Sequence, residues 1–541
     1  MKPIRIVISC LFVISCVTTQ PTDYGLNSDF ERVDAGLPEG WSYRLPDSNS
    51  YDVSIDPEEY RTGQYSLRLT SVTDSPGTWG TIVAYRLPVW FKMRQVQLRG
   101  YVKRENIETG IGGLWARIDR SSGYPSFQEQ SDYDLPPTED WTWYELPLEV
   151  GNLSREISFG GILTGTGTLW LDSLTLDIDG VPYLDAANAS AGPTQRLVQN
   201  SLKGRTQPLS NSQGRAKLMD TVRDYPLVVV HLTTPGERNT LQFLSEFVNQ
   251  AAFDYVLLSS SRFRPLQYAV DSPQKVLPYW PNSMEWAAFM RERIQDPDCQ
   301  LMGIGLDDPE DLLDLVESRA RGELPLSLWH KIDSLHRCLN EDLGYSLISR
   351  STVNLLSSLS DSLPTPSDQQ AAWAWNDLRH IEEYYARNGS QLYLDSLMIT
   401  QIGERIRKQP GTRTMVILPS YSFATPGRDQ ITQLREQWGD DLLTLTFTVG
   451  HGYTLDSQAE PLAPLGPHCW EYYLDKVEDA PYWADLRRPT GWLPPNLFLR
   501  ALPYNRTQQP FVTINPATHS DIWVYLGEGE PAYPYRSNAR R

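Results

Sequence analysis

The sequence is poor in cysteine, histidine and positive charge, and each shortage argues against a class of protein. Its 541 residues include 5 Cys and 7 His, and 48 Lys and Arg stand against 67 Asp and Glu, which gives a formal net charge of -19. Nucleic acid is therefore not an expected partner, because binding phosphates requires a net basic face. No Cys-x-x-Cys pair occurs, so neither a zinc knuckle nor a disulfide framework is predicted.

The chain begins with a short apolar segment. In "MKPIRIVISCLFVISC", two basic residues, Lys2 and Arg5, precede an apolar run that ends at Ile14. This layout is typical of an export signal, and the run is too short to span a bilayer as a mature helix. The sequence thus predicts that the protein leaves the cytoplasm.

The last four letters of that segment, "VISC", resemble the lipobox of bacterial lipoproteins, in which the Cys becomes the lipidated first residue. The resemblance implies a signal peptide over residues 1–16, lipidation of Cys16 and a polar tether over residues 17–25. It implies a location in the bacterial cell envelope, anchored to a membrane by lipid and facing the periplasm or the outer surface. An ordinary secretory signal with an incidental Cys is the alternative.

Residues 26–182 show the pattern of an antiparallel β-sandwich. Alternating runs such as "YSLRLTSV", "VQLRGYVKR" and "TLWLDSLTLDI" are separated by Gly, Pro, Asp and Ser, and no helical run interrupts them. The segments "NSDFE", "TGQYSLRL" and "LWLDSLTLDIDG" resemble the β-jelly-roll modules of secreted bacterial enzymes, including carbohydrate-binding modules. The resemblance implies a glycan ligand and a structural calcium ion held by Glu31 and Asp172, since calcium prefers oxygen ligands.

Four tryptophans of this region are candidate stacking faces for sugar rings: Trp79, Trp115, Trp141 and Trp143. A stacking tryptophan must keep one ring face accessible. For Trp141 and Trp143, which share one face of a strand, burial in the core is the alternative.

The composition changes beyond the sandwich. Residues 183–219 are rich in Ala, Ser, Asn, Gln and Gly, which predicts a linker. Residues 220–530 alternate strand-like runs, among them "YPLVVVHLT", "FDYVLLSS" and "LLTLTFTVG", with helical stretches, which predicts an α/β domain with a mostly parallel sheet. A helical block at about 309–408 is predicted as an inserted cap, and residues 531–541 as a polar tail.

The α/β domain resembles the erythromycin esterase family through motifs that occur in the family's order. "VVVHLTTPGERNTLQFLSEFV" resembles its opening strand, G-E-x-T-H-G loop and first helix, and "LYLDSLMITQIGERI" resembles its R-D-x-x-M helix. "RTMVILPSYSFA" stands where the family has a strand ending in H-N-x-H. The resemblance implies the scaffold of a hydrolase of ester or lactone bonds that uses no cofactor.

The family's catalytic positions hold other residue types in this chain. In the first loop the family's Glu falls on Leu232 and its His on Pro235, and Ser259 stands where the second strand should end in a carboxylate. Pro419 and Ser422 replace the two histidines of H-N-x-H. A positioned acid or base contributes roughly 100- to 10,000-fold to a rate, so these substitutions predict a scaffold that binds a ligand without cleaving it.

Two alternatives stay open. In the first, His231, Glu237, His451 and Asp395 assemble an altered hydrolytic site; a serine hydrolase is not predicted, because no G-x-S-x-G motif occurs. In the second, the protein is a surface assembly protein whose aromatic segment 468–495 contacts a partner. The sequence specifies neither the ligand nor the oligomeric state.

Overall fold

The computed structural model describes residues 26–533 with gaps. The long gaps are 260–282, 420–429 and most of 306–390; the short ones are 35, 45–49, 75–79, 108–109, 122–124, 130–139, 409, 456–458, 463–464, 488–490 and 502–510. Cys16, Trp79, Ser422 and most of the predicted helical cap therefore lie outside the described residues. Within the described residues, no helix has both the length and the apolar character needed to cross a membrane.

Two antiparallel sheets form an N-terminal β-sandwich, which confirms the predicted architecture. Its strands are β1 (Val33–Asp34), β2 (Leu37–Pro38), β3 (Ser42–Arg44), β4 (Tyr51–Asp56), β5 (Ser66–Ser71), β6 (Thr81–Pro88), β7 (Gln95–Glu105), β8 (Gly112–Arg120), β9 (Ser126–Glu129), β10 (Thr142–Glu149), β11 (Ser154–Leu163), β12 (Thr168–Ile178) and β13 (Val181–Pro182). One sheet has the order β10-β7-β12-β5-β4, with β13 beside β12, and the other has the order β3-β6-β11-β8-β9. β1 and β2 pair separately.

Side-chain alternation explains this sandwich. In β7, every second residue from Val96 to Val102 is buried, and the residues between them are partly exposed. The inner faces of the two sheets meet in a core that contains Trp41, Tyr85 and Phe159, whose ring centroids lie 5.6 to 6.0 Å apart. Apolar burial between the sheets therefore stabilises the sandwich.

The second domain contains an eight-stranded sheet in the order β14-β22-β25-β19-β15-β18-β16-β17. The strands beyond the sandwich are β14 (Thr206–Pro208), β15 (Leu227–Leu232), β16 (Tyr255–Leu258), β17 (Gln300–Gly303), β18 (Thr414–Pro419), β19 (Leu442–Thr448), β20 (His451–Leu455), β21 (Ala459–Pro461), β22 (Tyr482–Asp485), β23 (Leu497–Arg500), β24 (Phe511–Ile514), β25 (Ile522–Tyr525) and β26 (Glu528–Gly529). β15 to β19 and β25 pair in parallel, whereas β22 and β14 join antiparallel at one edge. The predicted mostly parallel sheet is confirmed.

Beyond the sandwich, the described residues include the helices α1 (Tyr183–Leu202), α2 (Ser212–Arg223), α3 (Arg238–Ala251), α4 (Met284–Gln295), α5 (Gln391–Lys408), α6 (Gln430–Trp438), α7 (Trp470–Leu474) and α8 (Pro516–His519), and Gly439–Asp441 forms a 3-10 turn. β15 and β19 are buried along their whole length, as expected of parallel strands with both faces covered. Helix α3 packs Leu244, Phe247 and Val248 against β15 and its neighbours.

The predicted linker is wrong for residues 183–219, because this stretch is folded. It forms the 20-residue helix α1, the edge strand β14 and the start of α2. The first residues of the predicted tail are also packed: the Ala532 amide donates to the Gly236 carbonyl at 3.0 Å, and Ala532 is 2% exposed. Both segments add buried residues to the core, including the large side chains of Tyr183 and Leu202 on α1.

The sandwich and the α/β domain share one hydrophobic core. Trp90, in the loop after β6, lies with its ring centroid 6.1 Å from that of Tyr473 on α7. Asn496 Nδ2 donates to the Val89 carbonyl at 3.0 Å, and Arg155 donates to the Thr513 carbonyl at 3.1 Å. The two domains are therefore joined by a packed junction in addition to the chain connection through α1.

Candidate functional site

The carboxyl ends of the parallel strands, where open α/β sheets usually bind ligands, are joined by threonine hydroxyls. β15 continues into Thr233, and β19 ends at Thr448; both side chains are fully buried. The Thr233 hydroxyl donates to Thr448 Oγ1 at 3.0 Å, and the Thr448 hydroxyl donates to Glu471 Oε1 at 3.4 Å. Threonine hydroxyls donate and accept hydrogen bonds without titrating near neutral pH, so they position this edge but supply no acid or base.

The family positions in the described residues carry no acid–base group. Leu232 is fully buried in the apolar core beneath α3, and Pro235 is buried in the turn that follows β15. Ser259 follows β16, and its amide donates to the Ile417 carbonyl at 3.1 Å. Pro419 is the last residue of β18, and its side chain lies outside the described residues.

Glu237 is the carboxylate nearest to this edge in the sequence, and it caps helix α3. One carboxylate oxygen accepts from the amides of Asn239 and Glu530, both at 2.8 Å. The other accepts from the amide and the hydroxyl of Thr240, both at 2.6 Å. Burial raises the pKa of the Glu237 carboxyl to about 7, although these donors and Arg238 favour its charged form. Four donors thus engage a fully buried group, which is the arrangement of a helix cap.

We expect Glu237→Ala to lower the free energy of unfolding by about 1–3 kcal/mol, because the amides at the start of α3 lose their acceptors. Urea unfolding measures the change. The matched control is Glu246→Ala on the same helix, since Glu246 is exposed and forms only a surface pair with Arg215; its effect should stay within about 0.5 kcal/mol. Equal effects of the two substitutions would contradict the capping role.

His231 lies near the end of β15 and is fully buried. Its ring stands edge-on to that of His519, with centroids 5.8 Å apart, and His519 in turn lies 5.7 Å from Trp523. Burial, the neighbouring His519 and the Arg435 guanidinium hold the pKa of His231 well below its usual range. His231 is therefore a neutral core side chain in this conformation, and a substrate in solvent does not reach it.

The other two candidates of the altered hydrolytic site lie elsewhere. His451 is exposed on β20, whose main chain pairs with β26 at Glu528. Asp395 belongs to α5, but its side chain lies outside the described residues. The imidazole that His231 contacts is that of His519 and not that of His451.

A buried carboxylate that the sequence analysis missed lies behind the strand ends. Glu471 on α7 accepts from the Arg500 amide at 2.9 Å, and the Arg500 guanidinium donates to the carbonyls of Val449 and Gly450 at 3.2 and 3.1 Å. Glu471 and Arg500 are 0% and 1% exposed, and burial raises the pKa of the Glu471 carboxyl. They tie β19 to α7 and β23, three segments whose proximity no local motif predicts.

Glu31 and Asp172, the positions predicted for calcium, bind one loop of the sandwich. Glu31 Oε1 accepts from the amides of Gln64 and Tyr65 at 2.9 and 3.1 Å. Asp172 Oδ2 accepts from the amides of Arg61 and Thr62 at 2.6 and 2.8 Å. In the part of the chain that the structure describes, no group of three or more His, Cys, Asp or Glu is placed to hold a metal ion. The calcium site stays a prediction.

One sheet of the sandwich presents aromatic rings outward. Trp143 on β10 is 39% exposed and lies directly opposite Tyr101 on β7, with ring centroids 4.9 Å apart and an interplanar angle of 66°. The Arg61 guanidinium lies 5.0 Å from the Tyr101 ring centroid. Trp141 is partly exposed two residues before Trp143 and donates to Glu59 Oε1 at 2.9 Å. We call Arg61, Tyr101, Trp141 and Trp143 the aromatic face.

This arrangement decides between two interpretations of the tryptophans. Core burial, the alternative for Trp141 and Trp143, is wrong for Trp143, because its strand turns that position away from the core. Trp115, by contrast, is 6% exposed and packs with Ala84 and Ile162, so it offers no open ring face. Trp143 and Trp115 thus differ in exposure, which cannot be read from a single sequence.

Comparison with known proteins identifies the fold more clearly than the family. No family model matches the chain. An uncharacterized HTH-type transcriptional regulator, YbfP of Bacillus subtilis (strain 168), is 26% identical over 141 residues, which are 26% of this chain and 47% of the relative. The chain therefore spans about half the length of this curated relative.

Solved structures match parts of the chain at low identity. A succinoglycan biosynthesis protein is 14% identical, with a TM-score of 0.52 over 63% of this chain and 99% of that chain, which shows a common fold. A mutant erythromycin esterase, EreC, in its open conformation is 13% identical, with a TM-score of 0.41 over 60% of this chain and 95% of that one. A xylan-binding domain from Paenibacillus barcinonensis is 19% identical, with a TM-score of 0.21 over 28% of this chain and 91% of that one.

Proposed function

We propose that this protein is a non-catalytic glycan-binding protein of the bacterial cell envelope, built on an erythromycin-esterase-like scaffold. The observation that carries the proposal is the aromatic face, where Trp143 is 39% exposed and packs against the partly buried Tyr101. Aromatic faces with polar groups at their rim suit sugars, because the apolar C–H face of a sugar ring stacks while its hydroxyls bind charged side chains. Arg61, Glu59 and Glu145 supply such polar groups.

The absence of hydrolysis is the second part of the proposal. Leu232, Pro235 and Ser259 cannot shuttle protons at neutral pH. His231 and Glu237 are fully buried, the first against His519 and the second with four donors. General acid–base catalysis requires a group within hydrogen-bond reach of the substrate, and these two side chains do not offer one in this conformation.

The anchoring part rests on the sequence. The export-signal layout and "VISC" at the N-terminus support lipidation of Cys16 and attachment to a membrane. Metabolic labelling with a palmitate analogue tests it: label that is lost in Cys16→Ala supports the anchor, and equal labelling of both proteins contradicts it.

We expect Trp143→Ala to weaken glycan binding by at least about tenfold, because about 1.4 kcal/mol of lost stacking has that effect. Affinity electrophoresis of the purified protein in gels that contain xylan or β-1,4-galactan measures the change. The matched control is Trp492→Ala, since Trp492 is also exposed, at 48%, but lies outside the sandwich.

Two results would contradict the proposal. Retardation that is equal in wild type, Trp143→Ala and Trp492→Ala, or no retardation in any gel, argues against glycan binding by the aromatic face. Hydrolysis of macrolides or p-nitrophenyl esters that is lost in His231→Ala argues for an enzyme with an altered site.

A further inference from the structure

A cleft lies at the sheet edge that the predicted linker turns out to build. It is open to solvent and has a volume of about 710 Å3 between the outer side of α2 and the β14–β22 pair. Lys203 and Gly204, which follow α1, also line it. Gly204 has a φ of +73° with no neighbouring atom where a Cβ would be, so the chain turns there beside open space.

The spacing of the lining residues explains the cleft. Four lining residues follow the three- and four-residue spacing of one helical face: Lys217, Asp220, Thr221 and Asp224. The opposite face of α2, with Leu218, Met219 and Val222, is buried in the core. The helix thus seals the core on one side and presents polar groups to the cleft on the other.

The strand side of the cleft has the two-residue period of a sheet. One side of β22 and its extension carries Trp483, Asp485 and Arg487. Gln207 on β14 lies directly opposite Trp483. Trp483 forms the floor: it is 5% exposed, and its indole N–H donates to the Gly214 carbonyl at 3.0 Å. This indole is therefore buried and fixed, and it offers no open ring face to the cleft.

Internal pairing leaves the cleft with uncompensated positive charge. Arg487 donates to both oxygens of Asp485, at 3.0 and 2.7 Å, and Asp220 pairs with Arg223, which is not a lining residue. Lys203, Arg205 and Lys217 then face one remaining carboxylate, that of Asp224. Arg205 Nε is also buried without a hydrogen-bond partner among the described residues. In a chain of net charge -19, this local excess favours an anion.

We propose that this cleft binds a small acidic sugar, a ring that carries one carboxylate and several hydroxyls. Arg205 and Lys217 receive the carboxylate, because Arg presents a planar donor fork and Lys a point charge. Asp224, Thr221 and Gln207 receive the hydroxyls of the sugar. The site is separate from the aromatic face, so it does not depend on the function proposed for that face.

Isothermal titration calorimetry of the full chain with glucuronate, glucose and inorganic phosphate tests the assignment. We expect glucuronate to bind, and Arg205→Gln and Lys217→Gln each to weaken its binding by about tenfold or more. The matched control is Arg196→Gln, which removes one exposed positive charge from α1 outside the cleft and should leave the affinity unchanged. Trp143→Ala should leave it unchanged as well, which separates this site from the aromatic face.

Three outcomes would overturn the assignment. If glucose binds as tightly as glucuronate, the positive charges of the cleft do not contribute to binding. If phosphate binds as tightly as glucuronate, and Lys217→Gln weakens the binding of both equally, the cleft is an anion site that does not recognise sugars. The site is refuted if glucuronate does not bind. It is also refuted if glucuronate binds equally well to Lys203→Gln and Lys217→Gln, which change exposed lysines of the cleft. This second result is informative even if Arg205→Gln does not fold.

Discussion

Trp90→Ala should destabilise both domains together, by about 3–5 kcal/mol. The indole is 4% exposed and packs edge-on against Phe91 at 4.8 Å and against Tyr473 of the α/β domain at 6.1 Å. Its removal leaves a cavity in the core that the two domains share, and neither sheet can close the cavity alone. Hydrogen exchange in increasing urea, followed separately for β7 and β15, measures the effect in each domain.

Trp143→Ala is the control for this prediction, because it removes the same side chain from an exposed position of the same sandwich. It should change the free energy of unfolding by less than about 0.5–1 kcal/mol. If Trp90→Ala shifts the exchange of β7 and leaves that of β15 unchanged, the domains unfold independently and the junction does not couple them.

Acidification should destabilise the protein through His468. This imidazole is 1% exposed and lies between Tyr183 on α1 and Phe498 on β23, at ring-centroid distances of 6.4 and 5.8 Å. Burial lowers the pKa of His468 from its usual 6.5 to about 4. The unfolded chain therefore takes up a proton at a higher pH than the folded one, and stability that is present above pH 6.5 is lost as the pH falls toward 4.

The expected loss is about 3 kcal/mol over that interval, since one pKa unit corresponds to about 1.4 kcal/mol. We propose to measure the free energy of unfolding from pH 8 to pH 4 in wild type and in His468→Gln, which has no proton to gain. The difference between the two proteins isolates this residue, because His231 and Glu237 titrate in both.

His451→Gln is the matched control, as it removes an exposed imidazole, and it should change the free energy of unfolding by less than about 0.5 kcal/mol. A difference between wild type and His468→Gln that stays constant over the whole pH range would show that His468 does not titrate in the way its burial requires.

The sequence predicts those parts of the fold in which local pattern and tertiary environment agree. The two-residue alternation of β7 and the continuous apolar run of β15 are direct consequences of one-sided and two-sided burial. Helix α1 was missed because its buried positions include Ala187, Ala191 and Thr194, which give little apolar signal, and because it contains Pro193. Composition alone then predicts a linker.

The candidate site was less predictable because its geometry depends on long-range packing. That Leu232, Pro235 and Ser259 replace acid–base residues stays a prediction from the family resemblance. The local sequence does not reveal that His519, some 290 residues further on, fills the space beside His231. The polar face of α2 looks like an ordinary solvated face until β14 and β22 are placed beside it.

The packed junction between the domains also bears on how the two proposed ligand surfaces would act together. Trp90, Tyr473 and α1 pack the sandwich against the α/β domain, and this packing restricts changes in the span between the aromatic face and the cleft. A glycan polymer that reaches both proposed surfaces would bind with higher avidity when its length matches this span. If a flexible tether joined the two domains instead, polymers of many lengths would reach both surfaces, each at a lower effective concentration. Under the two proposals, the length of the glycan chain would therefore affect how tightly it binds.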